Sequence, residues 1–347
     1  MGHIYPMLPV CKKLKERDKE IEIYFIGTTR GLEKNLIENS SLFEKKYYLD
    51  SQGFRRQPSF YNIITIWKYL KNYFQSRKIL KDLRPDIVVG MGGYVSGAVL
   101  KAALSLKIRT AIHEQNSVYG LANRYLKQKV DRIFLAYDLE HNSKTRLVGN
   151  PRISEIYRRY KDRLDENQYR SLLVVGGSQG AARINDLIIS LKDDFARAKI
   201  KVVLITGQRY YKDKLNEISA VKDQNFIVKG FVQNLAEYLL EARVVITRCG
   251  ATTISEIMAL RKVCLFIPSP YVTDNHQEKN ALEIVNREGA LMIKEHELTK
   301  ENLLSSIVKL MEDNKLRSKM INNLIMMSDI TSDEKFVREL DEMMMLG

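Results

Sequence analysis

Cysteine, tryptophan and long apolar runs are all scarce in this sequence of 347 residues. The three cysteines (Cys11, Cys249 and Cys264) are far apart and lack any C-x-x-C spacing. This pattern excludes a disulfide framework and a cysteine zinc site, and it indicates a reducing compartment. The longest apolar stretch, residues 87–100, is too short to span a membrane and is interrupted by glycines. The opening residues do not have the pattern of a signal peptide, so we expect none.

Acidic residues are outnumbered: 56 Lys and Arg stand against 42 Asp and Glu, a formal net charge of +14. Such a surplus points to an anionic partner. Known nucleic-acid-binding motifs are missing, so we expect no nucleic acid. An anionic membrane surface or a phosphorylated substrate remains. The charge is concentrated in residues 55–84, where eight Lys and Arg accompany a single acid, Asp82.

Short runs rich in valine and isoleucine alternate with helical patterns. Most of these runs are continuously apolar, as in strands covered on both faces. We predict strands at Glu22–Ile26, Ile87–Gly90, Thr110–His113, Arg132–Leu135, Leu172–Val175, Val202–Ile205, Val244–Thr247 and Cys264–Pro268. Helices are predicted at Ala98–Leu106, Ala181–Leu191, Thr253–Leu260 and Asn280–Arg287. The alternation predicts an α/β protein with parallel sheets.

The alternation occurs twice, with a break between the two series. The first series stops at Gly149-Asn150-Pro151, and a basic, polar stretch up to Arg170 precedes the next strand. We therefore expect two Rossmann-like halves with a boundary near this point. One large open sheet is the alternative, which the second half's own glycine turn makes less favourable.

A buried strand runs directly into a glycine turn at residues 176–180. Such a turn gathers backbone N–H groups at a helix N-terminus, where a phosphate can bind. The turn is not G-x-G-x-x-G and it lacks the lysine of a Walker A motif, so neither an NAD enzyme nor a P-loop NTPase is supported. A plain strand-to-helix turn is an equal alternative for this motif alone.

The strand Val244–Thr247 leads into a second turn at Gly250, where free amides again face an anion. Thr253 and Glu256 also match a capping box, which is the structural alternative. Two such turns in one half would suit a nucleotide diphosphate and its ribose. Further polar clusters at strand ends, in residues 90–97, 113–116 and 273–280, suit sugar hydroxyls.

The sequence resembles the MurG family of glycosyltransferases in six motifs that occur in the family's order. They are Gly2-His3-Ile4-Tyr5-Pro6, Gly90-Met91-Gly92-Gly93-Tyr94-Val95-Ser96-Gly97, His113-Glu114-Gln115-Asn116, Gly149-Asn150-Pro151, Gly176–Ala181, and Gly250-Ala251 with Ser255-Glu256. Members of that family transfer GlcNAc from UDP-GlcNAc to undecaprenyl-diphosphate-MurNAc-pentapeptide, the step from lipid I to lipid II in peptidoglycan synthesis. The resemblance covers essentially the whole chain.

The resemblance implies a GT-B glycosyltransferase fold, in which two Rossmann-like domains face each other across a cleft. Residues 1–152 would form the acceptor-side and membrane-facing domain, with the last helix (331–347) packed back on it. Residues 153–330 would form the UDP-GlcNAc-binding domain. The implied partners are UDP-GlcNAc, undecaprenyl-linked lipid I and the anionic cytoplasmic face of the bacterial cell membrane, where the enzyme would be peripheral.

The same resemblance implies a set of substrate-binding residues. Those for the donor are Asn116, Arg152, Ser178, Gln179, Val232, Ala251, Thr252, Thr253, Glu256, Gln277 and Asn280. Ser178 would contact the diphosphate, Glu256 the ribose hydroxyls, and Gln277 the GlcNAc hydroxyls. Those for the acceptor are Gly92, Gly93, Tyr94 and His113.

The implied reaction is an inverting displacement at the anomeric carbon of GlcNAc, which needs a base to take the acceptor proton. The family pattern assigns this role to His3, whose imidazole titrates near the required pH. Glu114 is the second candidate, although a structural carboxylate at a strand end is the alternative. Family members have a strand and a glycine-rich turn before this histidine, whereas this sequence opens Met1-Gly2-His3. Either the true start lies upstream, or the first strand has been lost.

Metal-binding patterns are missing from the sequence: it has no D-x-D and no His/Asp cluster at metal-ligand spacing. Backbone amides at helix N-termini can stabilise the charge that grows on the leaving diphosphate. We therefore expect no cofactor and no protein-held catalytic metal.

Residues 60–74 are aromatic and apolar, and basic residues flank them, including Arg55 and Arg56. The apolar positions 63, 66, 67, 70, 73 and 74 would share one helical face. We predict that Ile63, Ile66 and Trp67 insert into a membrane surface while lysines and arginines meet anionic lipid. An ordinary core-facing helix is the alternative.

Two other functions remain open at this point. The chain could be another GT-B enzyme, either a diacylglycerol or sterol glycosyltransferase or a UDP-GlcNAc 2-epimerase, although residues 90–97 and 113–116 speak against these. It could also be a relic that binds nucleotide without catalysis, because of the missing first strand.

Overall fold

A computed structural model describes residues 2–29, 33–53, 60–164, 170–177 and 181–345, without the side chains of Glu33 and Asn35. The described chain divides into two compact units. The N-terminal unit consists of the residues up to Glu155 and those from Thr331 onward, and the C-terminal unit consists of Ile156–Ile330.

The N-terminal unit alternates strands and helices. Its strands are β1 (Tyr24–Thr28), β2 (Lys45–Leu49), β3 (Ile87–Gly90), β4 (Arg109–Glu114), β5 (Arg132–Leu135) and β6 (Thr145–Leu147). Its helices are α1 (Met7–Arg17), α2 (Glu33–Glu38), α3 (Phe60–Leu83), α4 (Gly93–Ser105) and α5 (Leu121–Leu126), and α6 (Pro151–Tyr160) leads out of it. Among the described strands, β1 pairs in parallel with β2, and a separate parallel sheet has the order β3-β4-β5-β6.

The C-terminal unit is built around one parallel sheet. Its strands are β7 (Ser171–Val175), β8 (Lys201–Ile205), β9 (Phe226–Lys229), β10 (Val244–Thr247), β11 (Val263–Phe266) and β12 (Leu291–Met292). Its helices are α7 (Ala182–Ser190), α8 (Lys192–Arg197), α9 (Gln208–Asp213), α10 (Leu215–Val221), α11 (Leu235–Glu241), α12 (Ala251–Ala259), α13 (His276–Val285), α14 (Lys300–Glu312) and α15 (Asn314–Met327). The described strands lie in the order β12-β11-β10-β7-β8-β9, so β7, β10 and β11 end side by side.

Burial explains the central strands. Leu172, Leu173 and Val174 of β7 are all buried, because helices cover both faces of the sheet. The prediction of a parallel α/β protein is confirmed, and three strands, β3, β5 and β10, have the predicted bounds. Strands β2, β6, β9 and β12 were not predicted, because they are short or begin with charged residues.

The last described helix, α16 (Ser332–Met345), belongs to the N-terminal unit. Its Phe336 packs on Phe134 with ring centroids 4.5 Å apart. Its Glu334 forms a 2.9 Å ion pair with Lys13 of α1. Helices α1 and α16 therefore cover one face of the N-terminal unit together. The three cysteines are buried and free.

Candidate functional site

The imidazole of His3 lies where two neighbouring strands of the N-terminal unit end. Its Nδ1 is 3.0 Å from the carbonyl oxygen of Met91, which follows β3. The side-chain amide of Gln115, which follows β4, lies 2.6 Å from the same Nδ1. Because β3 and β4 are parallel neighbours, their carboxyl ends bring these groups together.

These contacts determine the tautomer of His3. A proton on Nδ1 is donated to the Met91 carbonyl, which leaves the basic lone pair of the neutral ring on Nε2. Gln115 Oε1 is buried and has no hydrogen-bond partner among the described residues. Since the two ends of a glutamine amide are interchangeable by rotation, Oε1 can also face Nδ1–H. With its amide in that orientation, Gln115 accepts from Nδ1–H, a contact we did not predict from the sequence.

Gly92 and Gly93 form the surface on which the His3 ring lies. Gly92 has a φ of +95° and Gly93 a φ of +80°, a conformation that glycine adopts without strain. A Cβ on Gly92 would lie 2.7 Å from His3 Nδ1. These two glycines, predicted to bind the acceptor, therefore also position His3. Tyr94 is the second residue of α4 and is exposed.

Glu114 is 1% exposed and accepts four hydrogen bonds. Its Oε1 accepts from the backbone and side-chain amides of Asn116, at 3.1 and 3.0 Å. Its Oε2 accepts from the backbone amide of Gly120 and from the side-chain amide of Asn123, both at 2.9 Å. The carboxylate organises the loop after β4, which is the structural alternative given for it above.

His113, which the resemblance assigns to the acceptor site, lies in the core of the N-terminal unit. The ring is fully buried, with Nε2 3.2 Å from the Gly149 carbonyl oxygen, and it packs edge-on against Phe336. Burial lowers the pKa of His113 to about 4. Arg152 is held by other side chains of the N-terminal unit: it forms a 2.7 Å ion pair with Glu155, and its guanidinium lies 4.5 Å from the ring centroid of Tyr5.

In the C-terminal unit, the first glycine turn follows β7. A Cβ on Gly176 would lie 3.2 Å from the Ala181 nitrogen and 3.3 Å from the Thr206 carbonyl oxygen, and Gly177 has a φ of +77°. The backbone therefore turns tightly here, as predicted. The predicted binding residues Ser178 and Gln179 lie outside the described residues.

The second turn ends in helix α12, whose N-cap is Gly250. Ala251, Thr252 and Thr253 thus form the first helical turn, whose backbone N–H groups have no partners within the helix. The capping-box alternative for Thr253 and Glu256 is wrong. A capping box needs Thr253 as the N-cap, whereas Thr253 lies inside α12 and the N-cap, Gly250, makes no side-chain hydrogen bond. Thr252 Oγ1 is buried without a hydrogen-bond partner among the described residues, and Glu256, 5% exposed, follows one turn later.

Gln277 joins the loops after β10 and β11. Its Oε1 accepts from the backbone amides of Cys249 (3.3 Å) and Ser269 (2.9 Å). With the oxygen engaged in this way, its NH₂ group can donate to a sugar hydroxyl. Asn280, predicted to bind the substrate, is 0% exposed and donates to the Cys249 carbonyl at 3.2 Å, so it shapes the turn.

Arg248 is a site residue that the sequence analysis missed. It forms a buried 2.6 Å ion pair with Glu295 and donates to the carbonyl oxygens of Ile267 (3.0 Å) and Pro268 (3.2 Å). Its Cγ would lie 3.9 Å from a Cβ on Gly177, so it joins the two glycine turns. Its position directly after β10 was the available signal. Val232 lies in the half-buried loop between β9 and α11.

Helix α3 presents its apolar side chains outward. Trp67 is 74% exposed, and Ile63 and Ile66 are at least half exposed. Phe60, Ile64, Leu70 and Phe74 are exposed as well. The core-facing alternative is therefore wrong for these residues, although Tyr73 does pack inward against Leu80. Arg55 and Arg56 lie outside the described residues.

Three of the four buried side chains of α3 are polar. Thr65, 3% exposed, accepts a 2.9 Å hydrogen bond from Gln52 and donates to the Tyr61 carbonyl. Asn72 donates to the Asp50 carbonyl at 3.1 Å. A helix with its polar face inside and its apolar face outside is suited to an apolar surface beyond the protein.

No helix in the described part of the chain is long and apolar enough to cross a bilayer. Within the same residues, no group of three or more His, Cys, Asp or Glu could hold a metal ion.

The described chain thus has two parallel α/β units, and the C-terminal unit carries two glycine turns at the ends of the neighbouring strands β7 and β10. The model of the glycosyltransferase family 28 N-terminal domain matches residues 1–135, and that of the family 28 C-terminal domain matches residues 171–337. The chain resembles the structure of Acinetobacter baumannii MurG with a TM-score of 0.74 at 23% identity, covering 98% of this chain and 96% of that one.

It also resembles the Neisseria meningitidis UDP-GlcNAc 2-epimerase bound to UDP-GlcNAc, with a TM-score of 0.67 at 16% identity over 97% and 96% of the two chains. A relative from Bacillus pumilus is 39% identical over 317 residues, which are 88% of this chain and 86% of the relative. A second relative, from Halalkalibacterium halodurans, is 37% identical over 89% and 88% of the two chains.

Both relatives are UDP-N-acetylglucosamine–N-acetylmuramyl-(pentapeptide) pyrophosphoryl-undecaprenol N-acetylglucosamine transferases. This chain belongs to their family, the MurG glycosyltransferases of family 28. The family-level and fold predictions are thereby confirmed.

Proposed function

We propose that this glycosyltransferase moves GlcNAc from UDP-GlcNAc to the 4-hydroxyl of MurNAc in undecaprenyl-diphosphate-MurNAc-pentapeptide, converting lipid I to lipid II. The observation that carries this proposal is the pair of glycine turns at the ends of β7 and β10. The similarity to relatives with this activity, at 36–39% identity, supports it over the epimerase reaction, whose enzymes share only the fold with this chain.

On the donor side, the diphosphate binds between the first glycine turn and the N-terminus of α12. Free N–H groups of Ala251, Thr252 and Thr253 and the positive end of the helix dipole stabilise the charge that the leaving UDP acquires. The guanidinium of Arg248, paired with Glu295, lies beside the same turn and joins it to the first one. Glu256 accepts hydrogen bonds from the ribose hydroxyls, and Gln277 donates to GlcNAc.

On the acceptor side, His3 takes the proton of the attacking hydroxyl at Nε2. The Met91 carbonyl holds the proton on Nδ1, so the imidazole enters the reaction in the tautomer that can accept a proton. As the ring becomes positively charged, the Met91 carbonyl and a rotated Gln115 carbonyl stabilise it. The new glycosidic bond forms at the anomeric carbon, and the electron pair of the broken bond leaves with UDP.

At the membrane, the apolar face of α3 enters the headgroup region of the anionic cytoplasmic leaflet, where the polyprenyl chain of the acceptor is anchored. Each exposed apolar side chain that becomes fully buried contributes about 1.5–3 kcal/mol. Each nearby lysine or arginine adds about 1 kcal/mol that salt can screen.

The membrane role is tested by replacing Ile63, Ile66 and Trp67 with serine. Because these side chains are exposed, the variant should keep its thermal midpoint and its affinity for UDP-GlcNAc, but lose binding to anionic vesicles. Leu80→Ser, on the buried face of the same helix, should instead lower stability. Unfolding of the triple variant would contradict the membrane assignment.

The reaction itself is tested by incubating the purified chain with labelled UDP-GlcNAc and lipid I in detergent, with and without EDTA. We expect label in lipid II in both samples, because backbone amides take the place of a cation. Release of UDP-ManNAc would support the epimerase function instead, and donor binding without any turnover would support the relic. Loss of transfer on chelation, restored by magnesium, would refute the metal-independent mechanism.

A further inference from the structure

The loops after β7, β8 and β9 lie side by side at the carboxyl edge of the C-terminal sheet, because these strands are parallel neighbours in that order. The loop after β7 is the first glycine turn, and the loop after β9 contains Val232, which the resemblance assigns to the donor. The loop after β8 leads into helix α9, to which the proposed mechanism gives no role. Ligands of open α/β sheets bind beyond this edge, so the contacts of α9 there bear on the donor.

The loop after β8 is fastened to the first glycine turn. The Thr206 carbonyl oxygen accepts a 3.1 Å hydrogen bond from the buried side-chain amide of Asn185 on α7. The same oxygen would lie 3.3 Å from a Cβ on Gly176, so the two backbones are in direct contact. Helix α9 follows, and its Tyr210 donates a hydrogen bond from its hydroxyl to Asp186 of α7. Helix α9 is therefore held in a fixed place relative to the phosphate turn.

The next side chain of α9, Tyr211, packs directly on the backbone of the loop after β9. A Cβ on Gly230 would lie 2.9 Å from Tyr211 Cβ and 3.0 Å from its Cγ, which leaves no room for a side chain between them. Lys222 fixes the other end of the ring: its Nζ donates to the Tyr211 hydroxyl at 2.5 Å and lies 4.7 Å from the ring centroid. Val232 comes two residues after Gly230, so Tyr211 supports the segment that presents Val232.

The loop after β9 is left for one part of the donor, its flat base. In the proposed function the turns after β7 and β10 take the diphosphate, Glu256 takes the ribose and Gln277 takes the sugar. The edge of uracil carries hydrogen-bond donors and acceptors, which backbone C=O and N–H groups can match. A purine is larger than uracil, so the position of this backbone decides which bases fit.

We propose that Tyr211 determines which nucleobase the donor site accepts, by holding the backbone from Gly230 to Val232 at the distance that suits a pyrimidine. This inference rests on the proposed function, because it takes a UDP-sugar as the donor. Tyr211 is a positioning residue, since it contacts Gly230 and acts on the nucleotide through the loop. Without its ring, the loop can retreat towards α9, which weakens its hydrogen bonds to uracil and admits a larger base.

The test measures the affinities of the full chain, Tyr211→Ala and Tyr211→Phe for UDP and for ADP by titration calorimetry. We expect Tyr211→Ala to lower the ratio of UDP affinity to ADP affinity at least about tenfold, and Tyr211→Phe, which keeps the packing on Gly230, to change it less than about twofold. In the transfer assay, Tyr211→Ala should raise the KM for UDP-GlcNAc and leave kcat unchanged, because the lost interaction binds the base and not the reacting sugar. A disturbance of the whole unit would not produce this split.

The matched control is Tyr157→Ala, which should keep the ratio of the unmodified chain. Tyr157 is also half-buried with a cation near its ring, Arg261 at 5.6 Å, but Arg261 precedes β11 at the opposite edge of the sheet. An unchanged ratio in Tyr211→Ala would overturn the proposal, including the case in which both affinities fall equally. If Tyr211→Ala does not fold, Tyr211→Leu is measured in its place, with the same fall in the ratio required. An unmodified chain that binds UDP no better than ADP would instead refute the proposed function, and this inference with it.

Discussion

Replacing Gly92 by alanine perturbs the one position where backbone conformation and the candidate base meet. The residue has a φ of +95° and a ψ of −177°, a combination that residues other than glycine adopt only with strain. The added Cβ would lie 2.7 Å from His3 Nδ1, which is too close for any stable contact. The imidazole therefore has to leave its place beside the Met91 carbonyl.

The backbone strain should cost about 1–3 kcal/mol. At about 2–4 °C per kcal/mol for a unit of this size, the thermal midpoint should fall by roughly 2–12 °C. The effect on catalysis has a separate cause, since general base catalysis contributes about 10²–10⁴-fold and depends on hydrogen-bond reach. We expect the transfer rate of the folded variant to fall at least about tenfold, with UDP-GlcNAc affinity unchanged.

The matched control is Gly97→Ala, five residues further along, inside α4. A Cβ there would meet Tyr69 Cε2 at 3.6 Å, an ordinary contact, and alanine in a helix interior is favoured by about 0.5–1 kcal/mol. This variant should keep or gain stability and keep its activity. Both are measured by differential scanning calorimetry and by labelled transfer to lipid I. A Gly92→Ala protein with the thermal midpoint and transfer rate of the unmodified chain would refute the placement of His3.

Three further changes probe the strand ends. Burial lowers the pKa of His113 from 6.5 to about 4. As the pH falls from 6.5 to 4, the unfolded chain therefore binds a proton at this side chain before the folded chain does. The free energy of unfolding should drop by about 3 kcal/mol over that pH range. Urea titrations at several pH values should show a smaller drop for His113→Gln, whereas the exposed His141→Gln should change nothing. Gln115→Glu should shift the acidic limb of the pH–rate profile upward, because a carboxylate beside His3 favours its protonated form; an unchanged profile would contradict this tautomer assignment. Glu114→Gln should cost about 1–3 kcal/mol in urea unfolding, since its NH₂ group would face N–H donors, and an unchanged midpoint would mean that the carboxylate does not organise the loop.

The sequence was sufficient to predict the parallel strands and the two glycine turns, because continuous apolar runs and glycines act locally. It was insufficient for β2, where two lysines precede Tyr47 and burial comes only from neighbours distant in the sequence. The burial of His113, which we did not predict from the sequence, has the same origin. Phe336 covers that ring, and no local pattern links residues so far apart.

The capping-box motif failed for a different physical reason. Its spacing is equally compatible with two positions inside a helix, and the helix starts at Ala251 because Gly250 takes an extended conformation. Gln115 and Arg248 were missed because a single polar residue after a strand does not reveal which group it will contact.

The placement of the donor on the C-terminal unit is tested most directly by titration calorimetry of UDP-GlcNAc with Glu256→Ala. Loss of the ribose contact should weaken binding by about 1–3 kcal/mol, the usual effect of leaving buried polar groups unpaired. Glu241→Ala, an exposed acid at the end of α11, should bind as the unmodified chain does. A folded Glu256→Ala protein with unchanged affinity would contradict the account.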